Sequence, residues 1–173
     1  MGDTLHDIKA RRSIRSFKAE PVKEPELSTI LEAATWAANG RGAQSAKIVF
    51  TQKTELIQEV EKLNAAVLGN PDAKPFFGTP CLVIVFADTT VPTWIDDGNQ
   101  VIATMMLAAQ AIGIGSCFIY RARESFESPG GKALMKQWGL SDNYKAVGNV
   151  ILGYPAGTPP EAAARKEGRI IKV

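Results

Sequence analysis

The sequence predicts one domain in which α-helices and β-strands alternate. At 173 residues the chain can bury one core of ordinary size but not two. Hydrophobic residues make up 45% and charged residues 22%, which is typical of a globular protein. Segments with apolar residues at helical spacing alternate with short apolar runs that suit strands. We therefore expect a single domain over 1–173, and alternation alone would favour a parallel sheet.

Apolar residues at helical spacing predict the helices. Several of the predicted helices also begin with a capping residue or a proline. Asp3 or Thr4 can cap the first, and Pro25 stands at the start of the second. The longest pattern is rich in Ala and Met and apolar around most of its circumference, so we expect it to be central or in a subunit interface. The predicted helices cover 4–10, 25–38, 56–67, 96–113 and a stretch around 133–138.

Short apolar runs predict four strands, over 47–52, 81–87, 116–120 and 147–152. The run over 81–87 is apolar throughout, so it should be covered by helices on both faces. The tail over 156–173 contains Pro159-Pro160 and ends in Ile170, Ile171 and Val173. We expect an extended C-terminal arm whose apolar end is buried by a partner chain.

Charge and cysteine content narrow the partners and the compartment. The formal net charge is +2, well below the basic excess of most nucleic-acid-binding domains, so we expect no nucleic-acid partner. Cys81 and Cys117 lie inside apolar runs and are not spaced as metal ligands, which predicts buried thiols. We see no apolar signal segment and no run long enough to cross a membrane, so we expect a cytoplasmic protein.

Residues 11–15 read R-R-S-I-R and follow directly on the first predicted helix. One interpretation is a solvated helix end, where cations interact favourably with the dipole and the last carbonyls. The other is an anion site, because guanidinium groups bind phosphate oxygens with paired donors and a serine adds another hydrogen bond. The segment alone leaves both open.

Two glycine-containing segments are further candidates for ligand contact. N-G-R-G-A-Q-S over 39–45 joins a helix to a strand, and its amides and the Gln44 side chain could meet a ligand or merely form a loop. G-I-G-S over 113–116 follows the longest helix. A helix cap explains Gly113, whereas Gly115 suggests close approach of a flat ligand.

Side chains for acid–base or nucleophilic catalysis are scarce. His6 is the only histidine in the sequence, which leaves little basis for a catalytic triad or a histidine metal site. The carboxylates of Asp96 and Asp97 should cap the helix that they begin. S-P-G-G-K over 128–132 lacks the spacing of a phosphate loop. Anion chemistry without catalytic side chains favours a bound cofactor that carries the chemistry.

The order of the motifs resembles the short form of the FMN-dependent nitroreductase family over essentially the whole chain. The set comprises R-R-S-I-R-S-F, a polar turn before a strand, G-N-P, D-x-G before a long Ala-rich helix, G-I-G-S-C-F-I, and L-G-Y-P with a late R-K. The resemblance implies an α+β fold with a mostly antiparallel sheet sandwiched by helices. It also implies an intertwined homodimer with FMN at the interface, and it replaces the parallel sheet expected from alternation.

The resemblance assigns FMN contacts residue by residue. The phosphate and ribityl chain would be held near the N-terminus, with a late basic partner from Arg165 or Lys166. The polar turn, which reads N-G-R-G-A-Q-S-A where the family more often has P-S-A-x-N-x-Q-P-W, would reach the cofactor from the other subunit. The remaining contacts would line the flavin ring. The full set is Arg11, Arg12, Ser13, Arg15, Gly42, Ala43, Gln44, Asn70, Gly115, Ser116, Ile119, Tyr120, Arg121, Arg165 and Lys166.

The activity implied is hydride transfer from NADH or NADPH through flavin N5 to an electron-poor small molecule, such as a nitroaromatic or a quinone, in alternating steps. No side chain would act as a catalytic residue and no metal would be needed. Two alternatives stay open. One is a flavin-binding protein without NAD(P)H turnover, namely a store, a sensor or a flavin-degrading relative. The other is a dimeric module without a ligand, in which R-R-S-I-R binds an acidic partner.

Overall fold

The computed structural model describes residues 3–173 as six helices, four strands and a C-terminal arm. A short 3₁₀ turn also occurs at Gly40–Gly42. The helices are Thr4–Ala10 (α1), Glu24–Thr35 (α2), Thr54–Leu68 (α3), Trp94–Ala111 (α4), Ala122–Glu127 (α5) and Pro129–Gln137 (α6). The strands are Ala46–Thr51 (β1), Cys81–Asp88 (β2), Gly115–Ile119 (β3) and Tyr144–Gly153 (β4).

The four strands form one antiparallel sheet in the order β1-β2-β4-β3. The parallel sheet expected from alternation is therefore wrong, and the antiparallel sheet implied by the family resemblance is confirmed. The apolar run in β2 fits either arrangement, because what it reflects is cover on both faces. All of 81–87 is buried, so the predicted cover on both faces of this strand is confirmed.

Helices cover the two faces of the sheet with separate hydrophobic cores. On one face α2 and α4 pack against the sheet through side chains such as Leu27, Ile30 and Met105. On the other face α3, α5 and α6 pack through Val60, Phe126 and Leu134 in the same way. This arrangement makes β2 and β4 the centre of the molecule, and it leaves the ends of the sheet for loops.

Most predicted elements occur within a few residues of the expected bounds. Asp3 caps α1 by accepting a hydrogen bond of 3.1 Å from the Leu5 N–H. The second helix ends at Thr35, earlier than predicted, because apolar spacing continues into the buried Ala37 after the helix has stopped. The short helix α5 was not predicted, since six residues give too little periodicity to recognise.

Both cysteines are buried and unpaired, as predicted. Burial raises the pKa of the Cys81 thiol to about 12, so this side chain is neutral at physiological pH and behaves as an apolar group. None of the helices in residues 3–173 is long and apolar enough to cross a membrane.

Candidate functional site

The N-terminal R-R-S-I-R segment lies against the start of β3. Ser13 forms an isolated parallel bridge with Ser116, and the Ile14 N–H donates a hydrogen bond of 3.0 Å to the Ser116 carbonyl. A Cβ at Gly115 would lie 3.1 Å from the Ile14 side chain and from the Gly153 carbonyl. Close packing of the N-terminal segment therefore accounts for this glycine without a flat ligand. The two predicted parts of the site are brought together here.

Arg11 and Arg12 have different environments although they are adjacent. The Arg12 Nη1 donates hydrogen bonds of 2.7 Å to the carbonyls of Lys9 and Arg11, so its guanidinium closes the end of α1. The Arg11 Nη1 is buried and has no hydrogen-bond partner within residues 3–173. A buried guanidinium nitrogen without an acceptor is costly, and an anion beside it would satisfy it. The helix-end interpretation therefore fits Arg12, and the anion-site interpretation fits Arg11.

Arg15 connects this segment to the loop that follows α3. Its guanidinium lies 5.9 Å from the centre of the Phe77 ring, within the range of a cation–π interaction. The loop is held by Glu61 of α3, a buried side chain that accepts a hydrogen bond of 2.8 Å from the Phe76 N–H. The exposed Asn70, near the start of the loop, uses its Oδ1 to accept from the Asp72 N–H.

A second residue of α3 fixes the segment after β3. The Asn64 side chain is fully buried and donates a hydrogen bond of 2.7 Å to the Tyr120 carbonyl. Its Oδ1 accepts from the Arg121 Nε at 3.3 Å. Arg121 has a φ of 75°, in the left-handed region that favours glycine. Helix α3 thus positions two loops, the one after its own end and the one after Ile119.

The N-G-R-G-A-Q-S turn is held by a different carboxylate, that of Asp97 in the first turns of α4. The turn has positive φ at Arg41, Gly42 and Gln44. Asp97 accepts hydrogen bonds from the Gly40 N–H at 2.9 Å and the Ser45 hydroxyl at 2.7 Å. It was expected to cap its helix, and instead it fastens the turn. Gly42, Ala43 and Gln44 are exposed beside it.

Asp97 is buried, with 3% of its surface exposed, yet its hydrogen bonds favour the charged form. Burial raises the pKa of its carboxyl, whereas hydrogen bonds from the Ser45 hydroxyl, the Gly40 N–H and the Thr93 hydroxyl lower it, and the net pKa lies below the ordinary value. The turn is therefore held by a carboxylate that is ionised at neutral pH.

The turn and the R-R-S-I-R segment lie at opposite ends of α4 within one chain. Asp97 holds the turn near the start of the helix, whereas β3, with Ser116 beside Ser13, begins just after its end. The fourteen residue steps from Asp97 to Ala111 correspond to about 21 Å at the usual rise per residue. Within one chain most of α4 therefore separates the turn from the R-R-S-I-R segment, and the contact of the turn with a cofactor held by the other subunit stays a prediction.

The predicted late basic pair is not brought to the other residues. Arg165 and Lys166 are exposed in the arm over 156–173, which contains neither helix nor strand. No ion pair within residues 3–173 involves either of them. The apolar side chains of Ile170 and Ile171 in the same arm are 92% and 81% exposed. The arm thus gains no cover from the part of the chain that the structure describes, and the contact of its basic pair with an anion stays a prediction.

Sequence reasoning missed the residues that position the site. Glu61 and Asn64 lie on the buried face of α3, where most positions are apolar. Two polar residues on a predicted apolar face were the signal in the sequence that could have indicated their buried hydrogen bonds. Asp97 was singled out, but with the wrong partners. Their hydrogen bonds reach across 15 to 57 residues of sequence, which spacing alone cannot predict.

The chain is similar to known proteins over most or all of its length. The family model described as "Nitroreductase family" matches residues 8–78. The chain is 25% identical over 170 residues to an NADPH-flavin oxidoreductase of Vibrio harveyi, covering 92% of this chain and 68% of that protein.

Solved structures agree with this match. A nitroreductase with bound FMN from Bacteroides fragilis is 27% identical, with a TM-score of 0.90 and complete coverage of both chains. Another, from Desulfitobacterium hafniense and also with bound FMN, is 27% identical with a TM-score of 0.88, covering 100% of this chain and 99% of that one.

Proposed function

We propose that the chain is a nitroreductase-like oxidoreductase that uses FMN, with NADH or NADPH as the reductant. The observation that carries this proposal is the buried, unpartnered Nη1 of Arg11 beside the start of β3. The similar proteins of known structure were solved with bound FMN, and the similar Vibrio harveyi protein is named an NADPH-flavin oxidoreductase.

The residues present fit a phosphate-bearing cofactor. Arg11 offers a buried donor that lacks an acceptor among residues 3–173. Ser13 and Arg15 are its neighbours on the same segment, and Ser116 lies across the bridge from Ser13. Two guanidinium groups and two hydroxyls on these adjacent segments would suit a phosphate monoester. Arg12, which is bonded to the end of α1, would contribute mainly its charge.

An elongated ligand could extend from this anion site along β3. Strand β3 runs from Gly115 to Ile119 and leads to Tyr120 and Arg121, about 13 Å from Ser116 at the usual rise of a strand. Asn64 fixes the carbonyl of Tyr120 and the side chain of Arg121 at that end. The ring of the cofactor would therefore lie near residues 119–121 and the loop containing Asn70.

Bound FMN supplies hydride transfer from NADH or NADPH to an electron-poor acceptor such as a nitroaromatic or a quinone. The chain's own residues bind and orient. Arg11 and Arg15 hold the anionic end, and Asn64 keeps the Arg121 guanidinium in place. A fixed cation beside a ring that gains negative charge favours that gain.

The complete site requires two subunits. Gly42, Ala43 and Gln44 lie at the far end of α4 from Arg11, so a second copy of the chain would supply them. The arm over 156–173, with its exposed Ile170 and Ile171, would be covered in the same homodimer and could bring Arg165 or Lys166 to the phosphate.

The first experiment is an absorption spectrum of the purified protein, taken alone and after addition of FMN followed by desalting. We expect flavin bands retained at about one FMN per subunit, and a dimer by analytical ultracentrifugation. Oxidation of NADH and NADPH is then followed with 1,4-benzoquinone or 4-nitrobenzoate as acceptor. A protein that stays colourless after reconstitution would overturn the proposal.

The runner-up function is a flavin-binding protein without NAD(P)H turnover. The orphaned Arg11 donor fits this function equally well, because it concerns binding and not turnover. A protein that retains FMN but oxidises neither nicotinamide with either acceptor would establish this second function instead.

A further inference from the structure

The segment S-P-G-G-K over 128–132 builds the junction between α5 and α6. The Ser128 hydroxyl caps α6 by accepting a hydrogen bond of 3.2 Å from the Gly131 N–H. A Cβ at Gly131 would lie 2.3 Å from the Ser125 carbonyl oxygen and 2.4 Å from the Phe126 Cα. A glycine is therefore required for α6 to pack directly against α5. The segment's lysine, Lys132, follows at the edge of a groove that this packing forms.

The groove lies between α5, α6 and the first residues of β4, and its volume is about 880 Å³. This volume falls within the range of small-molecule sites, about 300–1,000 Å³. Beneath the groove the buried ring of Phe126 packs edge-on against the buried Phe86 ring. The remaining apolar lining comes from Met135, Leu140, Tyr144 and Ala146.

Cations outnumber carboxylates around this groove. The charged lining residues are Arg123, Lys132, Lys136, Lys145, Glu127 and Asp142. Lys145 is paired with Glu127 at 3.3 Å, and the guanidinium of Arg123 lies 5.0 Å from the centre of the Trp94 ring.

Lys132 and Lys136 are the cations left to bind an anion. Neither has an ion-pair partner within residues 3–173. They lie one helical turn apart, where like charges destabilise a helix, and an anion between them would remove that repulsion.

The groove is distant from the phosphate site at Arg11. It is lined by Tyr144 at the start of β4, whereas the phosphate site lies beside Gly115, which pairs with Gly153 at the other end of that strand. Nine residue steps separate the ends of β4, or about 30 Å at the usual rise of a strand. A single small molecule cannot occupy both places.

We infer that this groove is a second binding site, which takes a small aromatic molecule carrying two or more negative charges as phosphate or carboxylate. The aromatic ring lies on the half-buried apolar lining of Met135, Leu140 and Tyr144, and the charged groups contact Lys132 and Lys136. Since α5 begins directly after Arg121 and forms one wall of the groove, the site is connected to the candidate flavin site through one short helix. The inference does not depend on turnover of NADH or NADPH.

Isothermal titration calorimetry tests this inference on protein that has been reconstituted with FMN and then desalted, so that no free FMN, itself an aromatic phosphate, competes for the groove. Adenosine 5′-monophosphate presents a ring with a phosphate, and naphthalene-2,6-dicarboxylate presents a ring with carboxylates. Inorganic phosphate and adenosine are the controls that carry only the charge or only the ring. We expect at least one of the two aromatic anions to bind more tightly than both controls, with an affinity that falls as salt is added.

The double variant Lys132→Gln/Lys136→Gln identifies the place of binding. We expect the affinity for the aromatic anion to fall by about tenfold or more, because charge-assisted contacts are lost. The matched control is Lys53→Gln/Lys62→Gln. It removes two exposed lysines, one just before α3 and one within it, and should leave the affinity unchanged.

Two results would overturn the inference. One is that neither aromatic anion binds better than the controls. The other is that binding persists unchanged in the Lys132/Lys136 variant, which would place the ligand elsewhere, for instance at Arg11. Absorption by retained FMN in both double variants shows that the fold and the flavin site are intact. Failure of this inference therefore stays distinguishable from failure of the proposed function.

Discussion

The carboxylate of Asp97 accepts a hydrogen bond of 2.7 Å from the hydroxyl of Ser45, 52 residues earlier in the chain. This contact attaches the C-terminal end of the N-G-R-G-A-Q-S turn to the first turns of α4. The Gly40 N–H, near the N-terminal end of the turn, donates to the same carboxylate. Within the turn, the Ala43 N–H donates to the Gly40 carbonyl at 3.0 Å and the Gln44 N–H to the Asn39 Oδ1 at 3.0 Å, and three residues have positive φ. These bonds shape the turn, and the Asp97 carboxylate attaches both of its ends to α4.

Replacing Asp97 by Asn should loosen this turn. The amide keeps the shape of the side chain but removes the charge that strengthens the bonds from Ser45 and Gly40. We expect the free energy of unfolding to fall by about 1.5–3 kcal/mol, the usual range for hydrogen bonds to a charged group. Urea unfolding measures this. The exposed neighbour Asp96→Asn is the control and should change stability by less than about 0.5 kcal/mol.

The stabilisation by Asp97 should depend on pH. Hydrogen bonds hold its pKa in the folded protein below the ordinary value despite burial, so the folded state binds this proton less readily than the unfolded chain. The contribution is thus fully present above the ordinary Asp pKa, about 3.9, and is lost as pH falls through the lower folded value. The stability difference between wild type and Asp97→Asn should be constant from pH 7 to 5 and shrink below about pH 4. A constant difference down to pH 3 would contradict this.

Arg11→Ala and Arg12→Ala should have different effects although the residues are adjacent. Removal of Arg11 takes away the buried donor that awaits an anion, so we expect FMN affinity to fall by about tenfold or more. Removal of Arg12 breaks bonds to the Lys9 and Arg11 carbonyls, so we expect a loss of about 1 kcal/mol in stability and a small change in FMN affinity. FMN fluorescence titration with urea unfolding separates the two. Equal losses of FMN affinity would contradict the assignment.

The local elements of this fold are predictable from sequence, and their arrangement is not. Asp3 and Gly69 act as the cap residues that their types suggest, at the start of α1 and the end of α3. Two strands run antiparallel when their connection stays at one end of the sheet and parallel when it crosses to the other end. The apolar run of β2 is compatible with either direction, so it does not distinguish them. The family resemblance supplied the antiparallel sheet.

The candidate site shows the same division. R-R-S-I-R could be recognised as an anion site or a helix end; the bonds of Arg12 fit the helix end, whereas the buried Nη1 of Arg11 fits the anion site, which stays a prediction. What the sequence could not reveal is that Glu61, Asn64 and Asp97 position the loops, because each contact joins segments that are distant in the chain. Gly115 was read as making room for a ligand, and packing against Ile14 is sufficient reason for it.

The left-handed backbone at Arg121 can be tested with two variants that both remove its guanidinium group. Arg121→Gly and Arg121→Ala both remove the bond from the Nε to Asn64, but glycine adopts a φ of 75° freely, whereas alanine keeps the Cβ that opposes it. We expect the glycine variant to be more stable than the alanine variant by about 1 kcal/mol in urea unfolding. Because both lack the cation, their rates of NADH or NADPH oxidation should fall together. If the alanine variant is as stable as the glycine variant, the loop does not hold this conformation in solution; if the rates differ, the backbone and not the charge at position 121 governs the reaction.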